Sequence, residues 1–551
     1  MPYVVTRSCC NDASCVVACP VNCIHPAPGD PGFAEAEMLH VDPAACVDCG
    51  ACVTACPVGA IVPHTKLQPH ELPFLEINAA YYRSNPHADR TPLALVPRQR
   101  RLLDPAPVRV AVVGAGPAGL YVADELLKHP EVSVDVYDRL PTPYGLLRAG
   151  VAPDHQDTKR AEQLFRAVED QPGFRYRLGV EVGEDVTLQE LTRHHHAVVY
   201  AVGASADRPL DVPGEDLPGS LSATELVGWY NGHPDHRNLD VRLDHERVVV
   251  VGNGNVALDV ARILTADPAR LASTDIADHA LAALAASRVR EVVVLGRRGP
   301  AQAAFTLPEL VGLAALRDVV NVLVEATPED LAGDDPRLSA LAELARRPVD
   351  PALRTMVLRF GAAPVEVLGP ERVTGLRVAR TELVPDEHGV LRARLTDRVE
   401  RLDAGMVLRS VGYRGVPVRD LPHDPDTGTV RNAGGRVRPG VYVAGWAKRG
   451  PTGFIGSNKT CARETVGSLL DDLDAGLLGR GPRDPRPLED LLRSRGVPVV
   501  DLAGWRAVDE EERRRGASAG RPRRKIVDIA ELERVAARDR RAGRYAGGST
   551  R

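Results

Sequence analysis

Nine of the ten cysteines in this 551-residue chain fall within its first 56 positions: Cys9, Cys10, Cys15, Cys19, Cys23, Cys46, Cys49, Cys52 and Cys56. Such crowding needs a local reason. A disulfide framework is a poor one, because the count is odd, the start MPYVVTRSCC lacks the basic-then-apolar pattern of a secretory leader, and the rest of the chain holds only Cys461. Metal ligation fits better, with zinc or a purely structural use of the thiols as the alternative.

The run Cys46-x2-Cys49-x2-Cys52-x3-Cys56-Pro57 has the iron–sulfur spacing of bacterial ferredoxins. Three thiolates at that pitch turn onto one cubane, and the fourth, at a proline-marked turn, points to a second. The first half repeats the pattern as Cys9-x2-Asp12-x2-Cys15-x3-Cys19-Pro20. Crossing the fourth ligands gives Cys19, Cys46, Cys49 and Cys52 to one [4Fe-4S] cluster, and Cys9, Cys15 and Cys56 to the other. With Asp12 in the place of a thiolate, the second is expected as [3Fe-4S], or as [4Fe-4S] with a labile, oxygen-ligated iron. Cys10 and Cys23 fall outside the frame and are expected as buried thiols beside a cluster.

The length allows three to four domains at roughly 150 residues each. Hydrophobic residues make up 44% and charged residues 26%, which excludes a fibrous or wholly disordered chain. No apolar run approaches the ~18 residues of a membrane span, so a cytoplasmic protein without membrane contact is expected. Residues 1–65 carry six acids against Arg7 alone, while the remainder balances at 68 against 68. The front end is therefore an acidic module on a neutral body. Salt-sensitive electron transfer would mark docking of that module on a basic face, and salt-independent transfer would mark apolar packing. The one dense basic tract, Arg521-Pro522-Arg523-Arg524-Lys525, reads as a solvated face rather than a nucleic-acid site. Between the module and the body, residues 66–107 carry Pro69, Pro73, Pro86, Pro92, Pro97, Pro105 and Pro107 with Arg83, Arg90, Arg98, Arg100 and Arg101. This reads as an extended linker whose arginines line a docking surface, or as a merely solvated tether.

In VRVAVVGAGPAGLYVADELLK a β-rich run ends at Gly114-x-Gly116-x-x-Gly119 and a helical pattern follows. The next strand, VSVDVYD, ends in Asp138, 24 residues after Gly114. Glycines let backbone amides approach a pyrophosphate at the helix start, and the acid suits ribose hydroxyls. A second unit, VVVVGNGNVALDVARIL, carries Gly252-x-Gly254-x-x-Ala257, and after an insertion at 265–288 its next strand ends in Arg297-Arg298. Adjacent guanidiniums suit the 2′-phosphate of NADP, where NAD would call for an acid. A third element, VYVAGWAKRGPTGFIGSNKT at 441–460, opens a helix after a glycine turn and suits a return to the first unit. FAD is thus expected with Gly114 and NADP with Gly252. The fold class expected is α/β: two Rossmann-like dinucleotide-binding domains preceded by a small α+β ferredoxin domain at 1–65. The boundaries are 66–107 for the linker, 108–215 and 436–480 for the FAD domain, 216–435 for the NADP domain and 481–551 for a C-terminal extension.

The body resembles the adrenodoxin-reductase type of ferredoxin–NADP reductase, and the whole chain resembles the actinobacterial fusion of a ferredoxin to such an enzyme. The likeness is carried by CCNDASCVVACPVNC, CVDCGACVTACP, GAGPAG, YDRLPTPYGLLRAGVAPDHQ, GNGNVALDVARIL, GRRGPAQAAFTLPEL and AGWAKRGPTGFIG. AGWRAVDEEE and GRPRRKI resemble the family's terminal extension. The resemblance implies FAD contacts at Ala118, Asp138, Leu146, Val182, Trp446 and the backbone of Gly453, Phe454 and Ile455. Relatives often carry Glu where this chain has Asp138. NADP contacts are implied at Asn253, Gly254, Asn255, Val256, Arg297, Arg298, Glu309 and Gly453. His155 and Asp259 are the residues expected to handle protons around the flavin, with structural capping as the alternative.

These parts predict an oxidoreductase in which hydride from NADPH reduces FAD and single electrons pass on to the clusters, with a redox protein such as a cytochrome P450 or another ferredoxin beyond them. Two alternatives are an electron-entry subunit resembling the small subunit of glutamate synthase and a ferredoxin arm that mainly docks a partner. Disulfide reductase chemistry needs a dithiol near the flavin, and Cys461 stands alone there.

Overall fold

Two valine-rich runs anchor the two large sheets. Every residue of Val108–Val113 is buried, as are the last four of Arg247–Val251. Strands buried on both faces read as continuous apolar runs because helices cover the sheet on either side. The computed structural model describes residues 3–93, 100–479 and 484–546.

The first sheet orders Arg436–Arg438, Val441–Val443, Ala197–Tyr200, Val108–Val113, Val132–Asp138 and Phe174–Leu178. All neighbours are parallel except the first pair. The late strand Val441–Val443 lies beside Ala197–Tyr200, so the turn after it reaches the glycine loop of the first unit. The second sheet is parallel throughout: Ser220–Ser222, Met406–Arg409, Arg247–Val251, Glu291–Leu295, Arg354–Arg359 and Val320–Glu325. An antiparallel meander of Ala362–Leu368, Gly375–Pro385 and Leu391–Asp403 covers one face, where Val367, Leu376 and Val378 meet Val249, Val293 and Val357. Both glycine loops thus stand at carboxyl ends of parallel strands, where such sheets bind dinucleotides.

The front module pairs Tyr3–Val5 with Ile61–Pro63 and Ile24–His25 with His40–Val41. One short helix lies inside each cysteine pattern, Ser14–Ala18 carrying Cys15 and Ala51–Ala55 carrying Cys52, each ending at the fourth position of its pattern. Within 66–107, residues 73–84 depart from the extended connection that the proline content predicts. Pro73–Ser84 forms a helix with proline at its start, and no proline interrupts positions 74–85. Its fully buried Asn78 accepts hydrogen bonds from Val5 N and Val41 N at 3.2 and 2.9 Å, and donates to Val5 O at 2.9 Å. Tyr82 donates to Cys23 O and His40 O. This helix therefore closes the module's strands. Of the linker arginines, Arg90 pairs with Asp42 of the module and Arg100 with Asp471 and Asp474 of the flavin-side helix Ser457–Asp474. Pro97 and Arg98 lie outside the described residues.

The basic tract near the C-terminus is not a solvated face. Arg521, Arg523 and Lys525 are buried, whereas Pro522 and Arg524 between them are exposed, the alternation of an extended strand. Arg523 bonds Glu162 and Asp509 at 2.8 Å each. Lys525 reaches Asp275 at 2.9 Å, sharing it with Lys159 at 2.7 Å. Arg521 reaches Asp278 at 2.7 Å. The acids at 275 and 278 come from the insertion that lengthens the second unit, so the tail straps that insertion to the first sheet's domain.

Candidate functional site

Close backbone packing dictates the first glycine loop. At Gly114, φ is +109°, and a Cβ there would lie 2.4 Å from Ala201 O; one on Gly119 would lie 1.9 Å from Gly114 O. Gly116 faces Gly145, where a side chain on either would fill the space over the start of helix Pro117–Leu127. Such a cradle fits a pyrophosphate. Asp138 closes the loop by accepting from Ala115 N at 2.8 Å and Leu140 N at 2.9 Å, and burial raises its pKa. The shorter acid thus staples both backbone segments, each oxygen keeping a second lone pair for a ribose hydroxyl. Leu146, at the head of its helix, is 39% exposed for a large apolar residue beside this loop. Val182 is half-buried and bridges to Val186. Across the loop, Gly445 with φ +68° comes so near Ala118 that a Cβ would lie 2.5 Å away. Trp446 is half-buried and donates through its indole to Thr452 O, which fixes the turn carrying Gly453, Phe454 and Ile455. These features fit FAD.

The second loop repeats the logic. Gly252 has φ +114° and would clash with Ser410 O at 2.1 Å, while a Cβ on Gly254 meets open space. Helix Asn255–Thr265 begins there, with Val256 in its first turn. Asn255 exchanges hydrogen bonds with Thr306, and Asn253 accepts from Ala304 N, which ties the loop to helix Leu307–Ala314. Arg297 and Arg298 are exposed and make no ion pair among the described residues, so both guanidiniums are available to a phosphate. That is the donor set NADP needs.

Between the loops lies a charged cluster. His155 and Asp259 come together, Nε2 to Oδ1 at 3.9 Å, and Glu309 joins them. Arg262, on the same helix as Asp259, donates to His155 Nε2 at 2.8 Å, Asp259 Oδ1 at 2.7 Å and Asp154. Arg7, from the cysteine-rich module, places Nη2 2.6 Å from Glu309 Oε2 and 2.5 Å from His155 Nε2. Two guanidinium donors on Nε2 require a lone pair there, so the imidazole is neutral with its proton on Nδ1. Burial, reinforced by Arg262 and Arg7, lowers the His155 pKa. Three carboxylates face two guanidiniums. Burial works against ionisation of Glu309, but the guanidiniums of Arg7 and Arg262 more than offset it and hold its pKa down, whereas burial leaves Asp259 raised. The environment thus pushes the pKa values of these two carboxyl groups apart, Asp259 above its ordinary value and Glu309 below.

The cysteines separate into two sets. Cys19, Cys46, Cys49 and Cys52 line one small void together with Cys23, whose Sγ lies 3.4 Å from that of Cys19. Cys49 is exposed. Cys9, Cys15 and Cys56 meet in the module's apolar core, with Asp12 buried and accepting from Ser14 Oγ. Five thiols line the void, four of them at the ferredoxin pitch with Cys23 beside them; that set, and three thiols with a carboxylate, are donor sets that fit iron–sulfur clusters.

The second set faces the flavin loop. Gly456 N donates to Cys10 O at 2.9 Å, and a Cβ on Gly456 would lie 2.0 Å from Asn11 O. Cys10, Val58 and Ala60 belong to the core of the first sheet's domain, and Val311 of the second domain is buried in the module's core. Glu37 accepts from Leu307 N at the head of its helix. The module is therefore packed apolar against both domains rather than docked by its acids on a basic face, and its single base Arg7 makes the ion pair that the charge count hides. Arg262 was legible as a charge three residues after Asp259 in an apolar helix. Arg7 was not, because nothing near position 7 announces an acid 302 residues away.

Residues 108–452 match the pyridine nucleotide-disulphide oxidoreductase family, and residues 39–62 the 4Fe-4S binding domain. A probable ferredoxin/ferredoxin–NADP reductase of Mycobacterium leprae is 50% identical over 98% of both chains. Its counterpart in Mycobacterium tuberculosis is 51% identical over 97% of this chain and 94% of its own. The structure of Mycobacterium tuberculosis FprA in complex with NADPH aligns with a TM-score of 0.75 and 45% identity, covering 78% of this chain and 99% of FprA. The two-loop body, the cysteine module seated on it and near-complete coverage at half identity together show that the chain belongs to the ferredoxin/ferredoxin–NADP reductase family of FAD oxidoreductases.

Proposed function

We propose that this chain is an NADPH-dependent reductase in which the cysteine module is the built-in electron acceptor of the flavin site. FAD, when bound, takes two electrons as hydride and releases them singly, which is the conversion that one-electron clusters require. Arg297 and Arg298 hold the 2′-phosphate, and the amides at Asn253, Gly254, Asn255 and Val256 hold the pyrophosphate. Ionised Glu309 and neutral His155 orient the nicotinamide, with the backbone at Gly453 closing the far side. Asp259, beside His155, is the group that would exchange a proton.

The observation that carries this reading is the hydrogen bond from Gly456 N to Cys10 O, which seats the Cys9–Asp12 loop on the flavin turn. It supports an order in which a cluster held by Cys9, Cys15 and Cys56 beside Asp12, of the [3Fe-4S] type, would receive the electron before a [4Fe-4S] cluster held by Cys19, Cys46, Cys49 and Cys52. Exposed Cys49 marks the exit, where a redox protein such as a cytochrome P450 or another ferredoxin collects the electron. No described helix is long and apolar enough to cross a membrane, and ten free cysteines suit a reducing cytoplasm.

Gly456→Ala tests the seating. The added methyl collides with Asn11 O, so reduction of the clusters should slow at least tenfold while flavin content and flavin reduction by NADPH stay near normal. In the unaltered protein the internal step should be insensitive to ionic strength. Unslowed cluster reduction in the variant, or a strong salt dependence, would contradict the reading.

A further inference from the structure

The Lys525 side chain, 1% exposed, is buried where three parts of the chain meet. From the C-terminal extension its ammonium donates to Arg148 O of the flavin domain at 3.0 Å and to Asn231 O of the nucleotide domain at 3.0 Å, and it lies 2.9 Å from Asp275 Oδ2. These partners lead to both halves of the site. Arg148 belongs to helix Leu146–Ala149, whose N-cap Gly145 faces Gly116 of the flavin loop. The extension grips the same residue a second time, since the Arg148 guanidinium bonds Glu512 at 2.6 Å and lies over the Trp505 ring. Asp275 accepts from Gln156 Nε2 at 2.8 Å and Lys159 Nζ at 2.7 Å, both on the short helix that starts directly after His155. Anchoring a tail does not call for such a residue. Exposed Arg524 already ties the strap to Asp278, and Lys159 already neutralises Asp275, so a second buried ammonium there adds a desolvation cost. Burial accordingly pushes the Lys525 pKa well below the ordinary lysine value. What Lys525 has and an exposed pair lacks is a carbonyl from each domain on one nitrogen.

We propose that Lys525 is a positioning residue for hydride transfer, holding the flavin wall at Arg148 and the helix after His155 in fixed register with the nucleotide domain. The inference rests on the reading that NADPH delivers hydride to FAD between these two domains. An ammonium has three N–H donors, so one side chain binds Arg148 O, Asn231 O and Asp275 at once. Movement of either domain against the other breaks one of these bonds. Misplacing reacting atoms by about 1 Å costs on the order of 10²-fold in rate, whereas NADPH affinity is set elsewhere, at Arg297 and Arg298. The extension thus governs the first chemical step through Arg148 and Asp275 rather than on a cofactor.

The test is stopped-flow reduction of the full-length, FAD-loaded protein by NADPH, comparing Lys525→Met and Arg521→Met with the parent. Arg521 is buried on the same strap, but its bonds to Thr274 O, Ile276 O and Asp278 stay within the nucleotide domain's insertion. Both variants should lower the unfolding midpoint. Lys525→Met should also slow the limiting rate of flavin reduction at least tenfold, while the NADPH concentration giving half that rate and reduction of the flavin by dithionite stay near the parent's. Arg521→Met should keep the parent's limiting rate. Lys525→Gln, one bond shorter and with two N–H donors, cannot bridge both carbonyls and Asp275. It carries the test if the methionine variant loses FAD, with the same slowing expected. An unchanged limiting rate in the Lys525 variant that holds FAD, or equal slowing in Lys525→Met and Arg521→Met, overturns the proposal. A parent protein whose flavin is not reduced by NADPH refutes the reductase reading itself.

Discussion

Arg7 of the cysteine module lies 2.6 Å from Glu309 of the nucleotide domain, a contact that joins the two ends of the electron path through one side chain. The same guanidinium reaches His155, so it depresses the basicity of both groups. Replacing it with methionine removes a positive charge from both, and both pKa values should rise. The acid limb of flavin reduction by NADPH should then move to higher pH in stopped-flow measurements, and Arg7→Lys should restore part of the shift. An unchanged pH profile would show that Arg7 only docks the module.

Cofactor choice rests on Arg297 and Arg298, which are exposed and without acidic partners among the described residues. Changing both to alanine should raise KM for NADPH strongly and leave NADH nearly untouched, since charge-assisted bonds of about 1.5–3 kcal/mol each are lost only with the 2′-phosphate. Equal losses with both nucleotides would refute the assignment.

The C-terminal strap makes a stability prediction. Arg523 serves Glu162, Asp509 and Glu512, the last fully buried. Arg523→Met leaves these acids without their shared cation and should cost roughly 3–5 kcal/mol, read as a fall in the unfolding midpoint. Arg524 pairs with Asp278 at the surface, and Arg524→Ala should cost about 1 kcal/mol or less. Similar losses would mean that the buried set is not held by charge. The pH sign follows from Asp509, which burial opposes but Arg523, Arg166 and Arg513 lower to about 2. Its contribution is present above the ordinary carboxylate pKa and is lost as pH falls towards 2.

The cysteine spacings, the two glycine loops and the order of units were legible because each is local: a few residues at fixed pitch determine a turn or a ligand set. Helix Pro73–Ser84 was obscured by counting prolines over the whole of 66–107, although positions 74–85 hold none. The tail shows the opposite difficulty. Its buried, exposed, buried alternation at 521–525 is a strand signal, but burial of cations needs acids from positions 162, 275 and 278, and no local pattern names them. Arg7 shares that character, since its ion pair with Glu309 forms only when the module is packed on the body.

Electrons are expected to leave the flavin through the Asp12-side cluster. Protein prepared in air, mixed anaerobically with NADPH and frozen at successive times, tests this route by electron paramagnetic resonance. The oxidised three-iron signal of the Cys9, Cys15 and Cys56 site should disappear before the reduced four-iron signal appears. Asp12→Cys should replace the first signal with that of a second four-iron cluster of lower potential, leaving hydride transfer to the flavin unaffected. A four-iron signal that rises while the three-iron signal is still intact, or a reduced flavin beside two unreduced clusters, would contradict the account.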